Sequence, residues 1–240
     1  MGEQKTPNEF KLKRIKNMKK ILAVLLATSS VAVFADTFQD FNNNLYVGYG
    51  LVAPTYKDAQ NIDQWGIGGT IQTKNNIWVS ANASMGQTTS GSVGNNTGGQ
   101  VGFKAGYALQ FFGDEAHGFQ LIPYVSFDVQ QGTQSVDSNE VAIPVSGNIY
   151  TYGIGIQPEY RLMDSLKLAL GVGITGNQVN VNGNSQQNFN YAITPQVQYD
   201  ISKTVMLGVG YTYANAFNSS NSATGVGGTN TVTAKVGYLF

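Results

Sequence analysis

The sequence predicts an all-β fold: a transmembrane, up-and-down antiparallel β-barrel of about ten strands, with eight strands as the alternative. Three observations support this prediction. Apolar residues alternate with Gly and polar residues in about ten segments after residue 44, and long and short connections alternate between those segments. Charged residues make up only 12% of the chain, about half of the fraction usual in a soluble domain. This indicates that much of the surface does not face water.

The first 35 residues are predicted to be an export segment that takes no part in the fold. We take Met18 as the true start, because a short basic stretch there precedes the apolar run 21–27. This order is typical of a secretory signal peptide, here residues 18–35, and small residues before the cut predict cleavage between Ala35 and Asp36. The apolar run is too short for a transmembrane anchor.

Residues 36–240 are predicted to form a single barrel domain, because no linker or shift in composition divides them. Without residues 1–35 the chain keeps seven basic and 12 acidic residues, a net charge of −5. That charge argues against a nucleic-acid partner, which needs a basic patch. The chain has no Cys, which excludes a disulfide framework and a thiolate metal site.

The alternating segments follow one another to the C terminus. Each has apolar residues on one face and Gly, Gln, Asn, Ser or Thr on the other, which is the pattern of a strand with two different environments. In chain order, the segments are 45–51, 65–71, 77–85, 101–111, 121–129, 150–160, 166–174, 189–199, 205–213 and 232–240. No part of the mature chain has a sustained helical period or 18 consecutive apolar residues, so no helical membrane span is predicted.

The connections between these segments alternate in length. The short ones centre on 74–76, 113–115, 163–165 and 202–203. The longer ones, rich in Gly, Asn, Ser and Gln, lie near 53–63, 87–98, 131–147, 176–187 and 215–228. Bacterial outer-membrane barrels have an even number of strands, short periplasmic turns and longer external loops. Ten strands therefore predict that both termini lie in the periplasm.

The apolar face is predicted to point outward to lipid and the polar face into the lumen. Aromatic residues on the apolar face gather near the strand ends and aliphatic residues lie between them, as two interfacial girdles would require. The girdle predicted at the periplasmic end contains Phe111, Tyr160, Tyr199, Tyr238 and Phe240. The girdle predicted at the external end contains Trp65, Tyr150, Tyr152, Phe189, Tyr191, Tyr211 and Tyr213.

Two features of the backbone complete the fold prediction. Hydrocarbon cannot solvate unpaired N–H and C=O groups, so the first strand must pair with the last to close the barrel. Pro123, Pro158 and Pro195 fall on the apolar phase within strands. Because proline cannot donate to the ladder, we predict a local β-bulge at each of them.

With these features the chain resembles small bacterial outer-membrane β-barrel proteins of the OmpA-like and opacity-porin kind. The resemblance rests on the export signal, the alternating strands and the terminal sequence Tyr238-Leu239-Phe240. It implies that Phe240, supported by Tyr238, is recognised by the barrel-assembly machinery. That machinery, periplasmic chaperones and outer-membrane lipid are the partners that the resemblance implies. Ten predicted strands depart from the eight of many relatives.

No catalytic, metal or cofactor site is predicted. The single histidine, His117, lies in a short turn beside Asp114 and Glu115. A Ser–His arrangement for hydrolysis would be expected near the external rim, at the opposite end from this turn. Closely spaced glycines within the predicted strands, such as Gly48 and Gly50, are not followed by a helix. They therefore lack the strand-to-helix context of a phosphate-binding loop. We therefore expect a protein that is not an enzyme.

Charged residues on the polar phase are the candidate functional residues. They are Lys104, Asp128, Glu159, Arg161, Lys167, Asp200 and Lys235. One interpretation is a paired network that fills the lumen, since unpaired charges there would be costly. The other is a selectivity lining of a narrow pore.

The function predicted from the sequence is that of a non-enzymatic integral outer-membrane protein. Its surface-exposed loops would serve envelope structure or adhesion, because function concentrates in such loops. The alternative is a narrow porin-like channel for small solutes. The low complexity of the loops indicates no particular extracellular ligand.

Overall fold

The computed structural model describes residues 38–55, 61–88, 97–113, 117–138, 141–181, 184–217 and 228–240. Those between Ala35 and Leu239 belong to one compact unit. The side chain of Phe240 is half-buried. The predicted export segment and its cleavage site between Ala35 and Asp36 lie outside the described residues. None of the described helices is both long and apolar enough to cross a membrane.

One helical turn and eleven strands make up the described part of the chain. The helix, α1, spans Gln39–Asn42. The strands are β1 (Asn44–Pro54), β2 (Ile62–Gln72), β3 (Ile77–Thr88), β4 (Thr97–Tyr107), β5 (Leu109–Gly113), β6 (Gly118–Ser138), β7 (Val141–Met163), β8 (Leu166–Val181), β9 (Asn184–Asp200), β10 (Val205–Ala216) and β11 (Thr229–Leu239).

Antiparallel pairing joins the strands into a closed ring in which β1 pairs with β11. Strands β4 and β5 both pair with β6. The register is the same in both ladders, as the pairs Gly106↔Tyr124 in the first and Leu109↔Leu121 in the second show. They are therefore two parts of one barrel strand, divided at Ala108. The ring counts ten strands, which confirms the predicted number and the predicted closure of the first strand on the last.

Two strand pairs run further than the sequence predicted. The β6–β7 ladder continues to Ser138↔Val141, and the β8–β9 ladder continues to Val181↔Asn184. The prediction of long connections over 131–147 and 176–187 is therefore wrong for most of their length. A ladder needs only backbone N–H and C=O groups. The polar residues of these two stretches, from which loops were predicted, are therefore compatible with strands that extend into water.

The three strand prolines do not produce β-bulges, and that prediction is wrong. Pro123 lies opposite the break between β4 and β5, while Pro158 and Pro195 lie beside gaps in the β7–β8 and β9–β10 ladders. The register is the same on both sides of each proline. Each proline lacks one backbone N–H donor and so interrupts the ladder on one side of its strand. The ladder on the other side stays paired. The partners on the paired side are Ile156, Leu121 and Leu170.

The apolar phase faces outward around the ring, as predicted. Ile154 is 64% exposed in the aliphatic middle of β7. Trp65 and Phe189 are exposed near one edge of the barrel, and Phe111 and Tyr238 are exposed near the other. An outer surface of this kind suits acyl chains bordered by headgroups.

Glycines on the inner face make room for large side chains of neighbouring strands. The Tyr124 ring covers Gly155, where a Cβ would lie 2.5 Å from Tyr124 Cζ and 2.6 Å from the Val172 carbonyl oxygen. The Tyr46 ring covers Gly68 in the same way, with Tyr46 Cζ 2.6 Å from the place of a Cβ. The two tyrosines can lie flat against the barrel wall only because these positions have no side chain.

Candidate functional site

A short segment before the first strand fills one end of the lumen. Residues 38–43, which we call the plug, contain α1, and its backbone turn is closed by Asn42 N–H donating to the Phe38 carbonyl at 3.0 Å. Phe38, Phe41 and Asn42 are 1%, 0% and 1% exposed. Asn44 Nδ2 donates to the Phe41 carbonyl at 2.9 Å and ties the plug to the start of β1.

The plug lies at the edge of the barrel where the short connections meet. Asn44 pairs with Leu239 at one side and with Thr70 at the other, so both ends of the barrel domain reach this edge. Asn43 Oδ1 accepts the backbone N–H of Gln72 at 2.8 Å, next to the short turn between β2 and β3. This edge of the lumen is therefore occupied by the chain's own residues.

Glu159 is the centre of the polar contacts that hold the plug, and it is 1% exposed. Its Oε2 accepts Asn42 Nδ2 at 2.9 Å and Gln120 Nε2 at 2.7 Å. Its Oε1 accepts Gln157 Nε2 at 2.7 Å and forms an ion pair with Lys167 Nζ at 3.4 Å. Lys167 Nζ also donates to Asn42 Oδ1 at 2.5 Å. Asn42 therefore bridges both members of this buried ion pair. A buried ion pair needs such additional hydrogen bonds to offset the cost of removing its charges from water.

The two aromatic rings of the plug lie against cations and a glycine of the barrel wall. The Phe41 ring centroid lies 5.0 Å from the Arg161 guanidinium carbon and 5.9 Å from Lys167 Nζ, which is cation–π geometry. Phe38 packs against Gly118, where a Cβ would lie 2.8 Å from Phe38 Cε2. The barrel wall is thus shaped to receive both rings.

The seven charged residues predicted to face the lumen lie on the inner face of their strands and form two groups. Glu159, Arg161 and Lys167 surround the plug, and Asp200 joins them because Gln198 Nε2 donates both to its Oδ1 at 3.0 Å and to a plug carbonyl at 3.1 Å. The second group lies further along the lumen and consists of Lys104, Asp128 and Lys235.

A cavity of about 500 Å³ extends along the lumen from the plug. Asn42 of the plug lines it, together with hydroxyl and amide side chains of most strands. Within it, Gln100 Nε2 donates to Asp128 Oδ1 at 3.4 Å. Lys104 Nζ lies 5.0 Å from the Tyr124 ring centroid, and Lys235 Nζ lies 4.5 Å from that of Tyr46.

The remaining candidate residues lie apart from this cavity. His117 is exposed next to β6, and Asp114 and Glu115 lie outside the described residues. Over the part of the chain that the structure describes, no group of three His, Asp or Glu side chains could hold a metal ion. Tyr238 points outward and is 55% exposed. The role of Tyr238 and Phe240 in assembly stays a prediction.

Sequence reasoning missed the plug. The plug comes before the first alternating segment and carries no period-2 pattern of its own. A weak signal was present: Phe38 and Phe41 are three residues apart, as on one face of a helical turn. Amide residues at 39, 42 and 43 surround them.

Comparisons with known proteins agree with this architecture. Residues 89–240 match the family model described as outer membrane protein beta-barrel domain. The fold is similar to the translocator domain of the autotransporter NalP from Neisseria meningitidis, at 12% identity over 98% of this chain and 100% of that chain, with a TM-score of 0.51. At such identity the likeness concerns the fold alone.

Other solved structures are similar with lower scores. Ail, the attachment invasion locus protein of Yersinia pestis, has 12% identity over 83% of this chain and 98% of that chain, with a TM-score of 0.40. The N-terminal β-barrel domain of Pseudomonas aeruginosa OprF has 14% identity over 83% and 98%, with a TM-score of 0.35. No curated protein sequence matches the chain.

Proposed function

The chain belongs to the family of outer membrane protein beta-barrel domains, and from this premise we propose that it anchors surface loops while its lumen stays closed to passive flow. The proposed role of the loops is envelope structure or adhesion, without enzymatic activity. The observation that carries the proposal is the burial of the plug, whose Phe41 is 0% exposed within the lumen end.

The contacts of the plug support a closed lumen. A solute that crossed the barrel would have to displace the Phe41 ring from its contacts with Arg161 and Lys167. It would also have to break the hydrogen bonds from Asn42 to Glu159 and from Lys167 to Asn42, at 2.9 Å and 2.5 Å. Hydrogen bonds to charged groups in a buried site are costly to leave unmade, so the plug is expected to remain in place.

The alternative function, a narrow channel for small solutes, is favoured by one observation. The cavity of about 500 Å³ is lined by charged residues, among them Lys104, Asp128 and Lys235. A channel would require the plug to leave the lumen. Conductance therefore separates the two functions.

Single-channel recording in planar lipid bilayers tests the closed lumen. We expect the unaltered barrel to be silent. The double variant Phe41→Ala/Asn42→Ala is expected to show stepwise conductance, because it removes the ring held by Arg161 and Lys167 and the amide that bridges Glu159 and Lys167.

A matched control removes the same groups from the outer surface. Phe103→Ala/Asn75→Ala deletes an outward aromatic ring and an exposed turn amide, and it should remain silent. Conductance of the unaltered protein equal to that of the plug variant would overturn the closed-lumen proposal and favour the channel.

The surface location of the long connections can be tested on intact cells. An epitope tag inserted within 218–227, a stretch rich in Asn, Ser and Gly, is expected to bind antibody without permeabilisation. The same tag inserted at Lys203, in the short connection between β9 and β10, should bind antibody only after the outer membrane is permeabilised. The reverse pattern would invert the proposed orientation.

A further inference from the structure

We propose that the lumen cavity beside the plug binds a small oxyanion, held by the ammonium groups of Lys235 and Lys104. Both lysines line the same cavity of about 500 Å³. The chemical class of the ligand is an inorganic or small organic phosphate, sulfate or carboxylate. Neither the family nor the proposed anchoring role assigns such a site.

Lys235 projects from a part of the wall that lacks competing side chains. It pairs with Gly48 on β1 and with Gly208 on β10. A Cβ at Gly48 would lie 3.5 Å from Lys235 Cγ, and one at Gly208 would lie 3.6 Å from Lys235 Cβ. The two glycines thus leave the lysine stem free to extend into the lumen, where its ammonium lies 4.5 Å from the Tyr46 ring centroid.

Lys104, on β4, likewise has small neighbours in the adjacent strands and an aromatic ring near its ammonium group. It lies between Ser80 and Ser126 in the ladders, with its ammonium 5.0 Å from the Tyr124 ring centroid. Asp128 attracts it electrostatically. Among the described residues, however, no acceptor forms an ion pair or hydrogen bond with the ammonium of either Lys104 or Lys235. An aromatic face attracts a cation but offers no lone pair to its N–H groups.

The charges that line the cavity leave a positive excess. They are Lys104, Asp128, Glu159, Lys167 and Lys235. Glu159 and Lys167 are paired with each other at 3.4 Å, which leaves two lysines and one carboxylate. Lys104 and Lys167 also repel Lys235. An anion bound in this cavity would relieve this repulsion.

The shape and donors of the cavity define the ligand. Each ammonium has three N–H donors, and an oxyanion accepts several of them at once through charge-assisted bonds. Thr233 and Ser126 add hydroxyl groups to the same lining. Because the plug closes one end, the cavity suits a small anion better than a polymer.

Calorimetric titration with inorganic phosphate tests the site, with the mature barrel folded in a nonionic detergent that carries no phosphate. We expect saturable binding. Lys235→Met should weaken that binding by about tenfold or more, as expected from loss of a charge-assisted contact. Lys235→Arg should retain binding because the charge and donors remain.

Lys203→Met is the matched control, since it removes one positive charge from an exposed turn and should leave phosphate affinity unchanged. Circular dichroism of each variant checks that the barrel has folded. No saturable binding by the unaltered protein, or an equal loss in the Lys203→Met and Lys235→Met variants, would overturn the proposal. Phosphate binding by a barrel that also conducts would overturn the closed lumen and leave the anion site intact.

Discussion

Replacing Glu159 with Ala is expected to lower the free energy of unfolding by about 3–5 kcal/mol, the usual cost of removing one member of a buried ion pair. The variant leaves Lys167 buried without its carboxylate. It also deprives Asn42, Gln120 and Gln157 of the oxygens to which they donate. Reversible denaturant unfolding in phospholipid vesicles measures the effect.

The control for this prediction is an exposed carboxylate near the same edge of the barrel. Asp164 Oδ1 lies 3.9 Å from Arg161 Nη2, and the Asp164 side chain is 77% exposed. Asp164→Ala should change the unfolding free energy by less than about 1 kcal/mol, because exposed ion pairs contribute little. A Glu159→Ala cost as small as this would show that the plug does not depend on the buried carboxylate.

Placing an arginine at Val172 is expected to destabilise the membrane-inserted barrel by about 2–4 kcal/mol, the cost of a charge at the bilayer midplane. Val172 lies on the outward face of β8, 38% exposed, between the outward residues Leu170 and Ile174. The arginine side chain would have to leave its guanidinium in hydrocarbon or bend toward a distant headgroup. Unfolding in vesicles of defined thickness measures the effect.

The neighbouring inward position supplies the control. A Cβ at Gly171 would meet Thr194 Cβ at 3.5 Å and its carbonyl oxygen at 3.7 Å, which are ordinary contacts. Gly171→Ser therefore fits the lumen wall and adds a hydroxyl to a polar surface. Its effect should stay within about 1 kcal/mol. Similar losses at 171 and 172 would contradict the assignment of the two faces.

Much of the barrel was predictable because alternation is a local signal. Val47, Ile154 and Val209 are outward and exposed, and their neighbours along each strand face the lumen, as the period of two requires. Ring closure was also predictable, since an open edge has no partner in hydrocarbon. Strand ends were less predictable, because polar side chains exposed to water occur in strands and loops alike and so do not mark where a strand ends.

The prolines and the interrupted fourth strand illustrate a different limit. Sequence shows that Pro123 lacks a donor, but it does not show which neighbouring strand would have received that hydrogen bond. In the structure the missing bond faces the junction of β4 and β5. At this junction the Ala108 N–H donates to the Asn76 carbonyl at 2.8 Å, outside the ladder with β6. The pairing with β6 keeps one register on both sides of Pro123, without a bulge.

The sequence by itself determined the barrel and the direction of each face and predicted about ten strands, because these follow from a repeating local pattern and from the need to satisfy every backbone group in lipid. The structure decided for ten strands over eight. Only the tertiary structure showed that the plug fills one end of the lumen. The groups that hold the plug come from distant positions, as Asn42 and Glu159 are 117 residues apart. Glutamines and a lysine converge there because the ring brings their strands together, and no local pattern encodes that convergence.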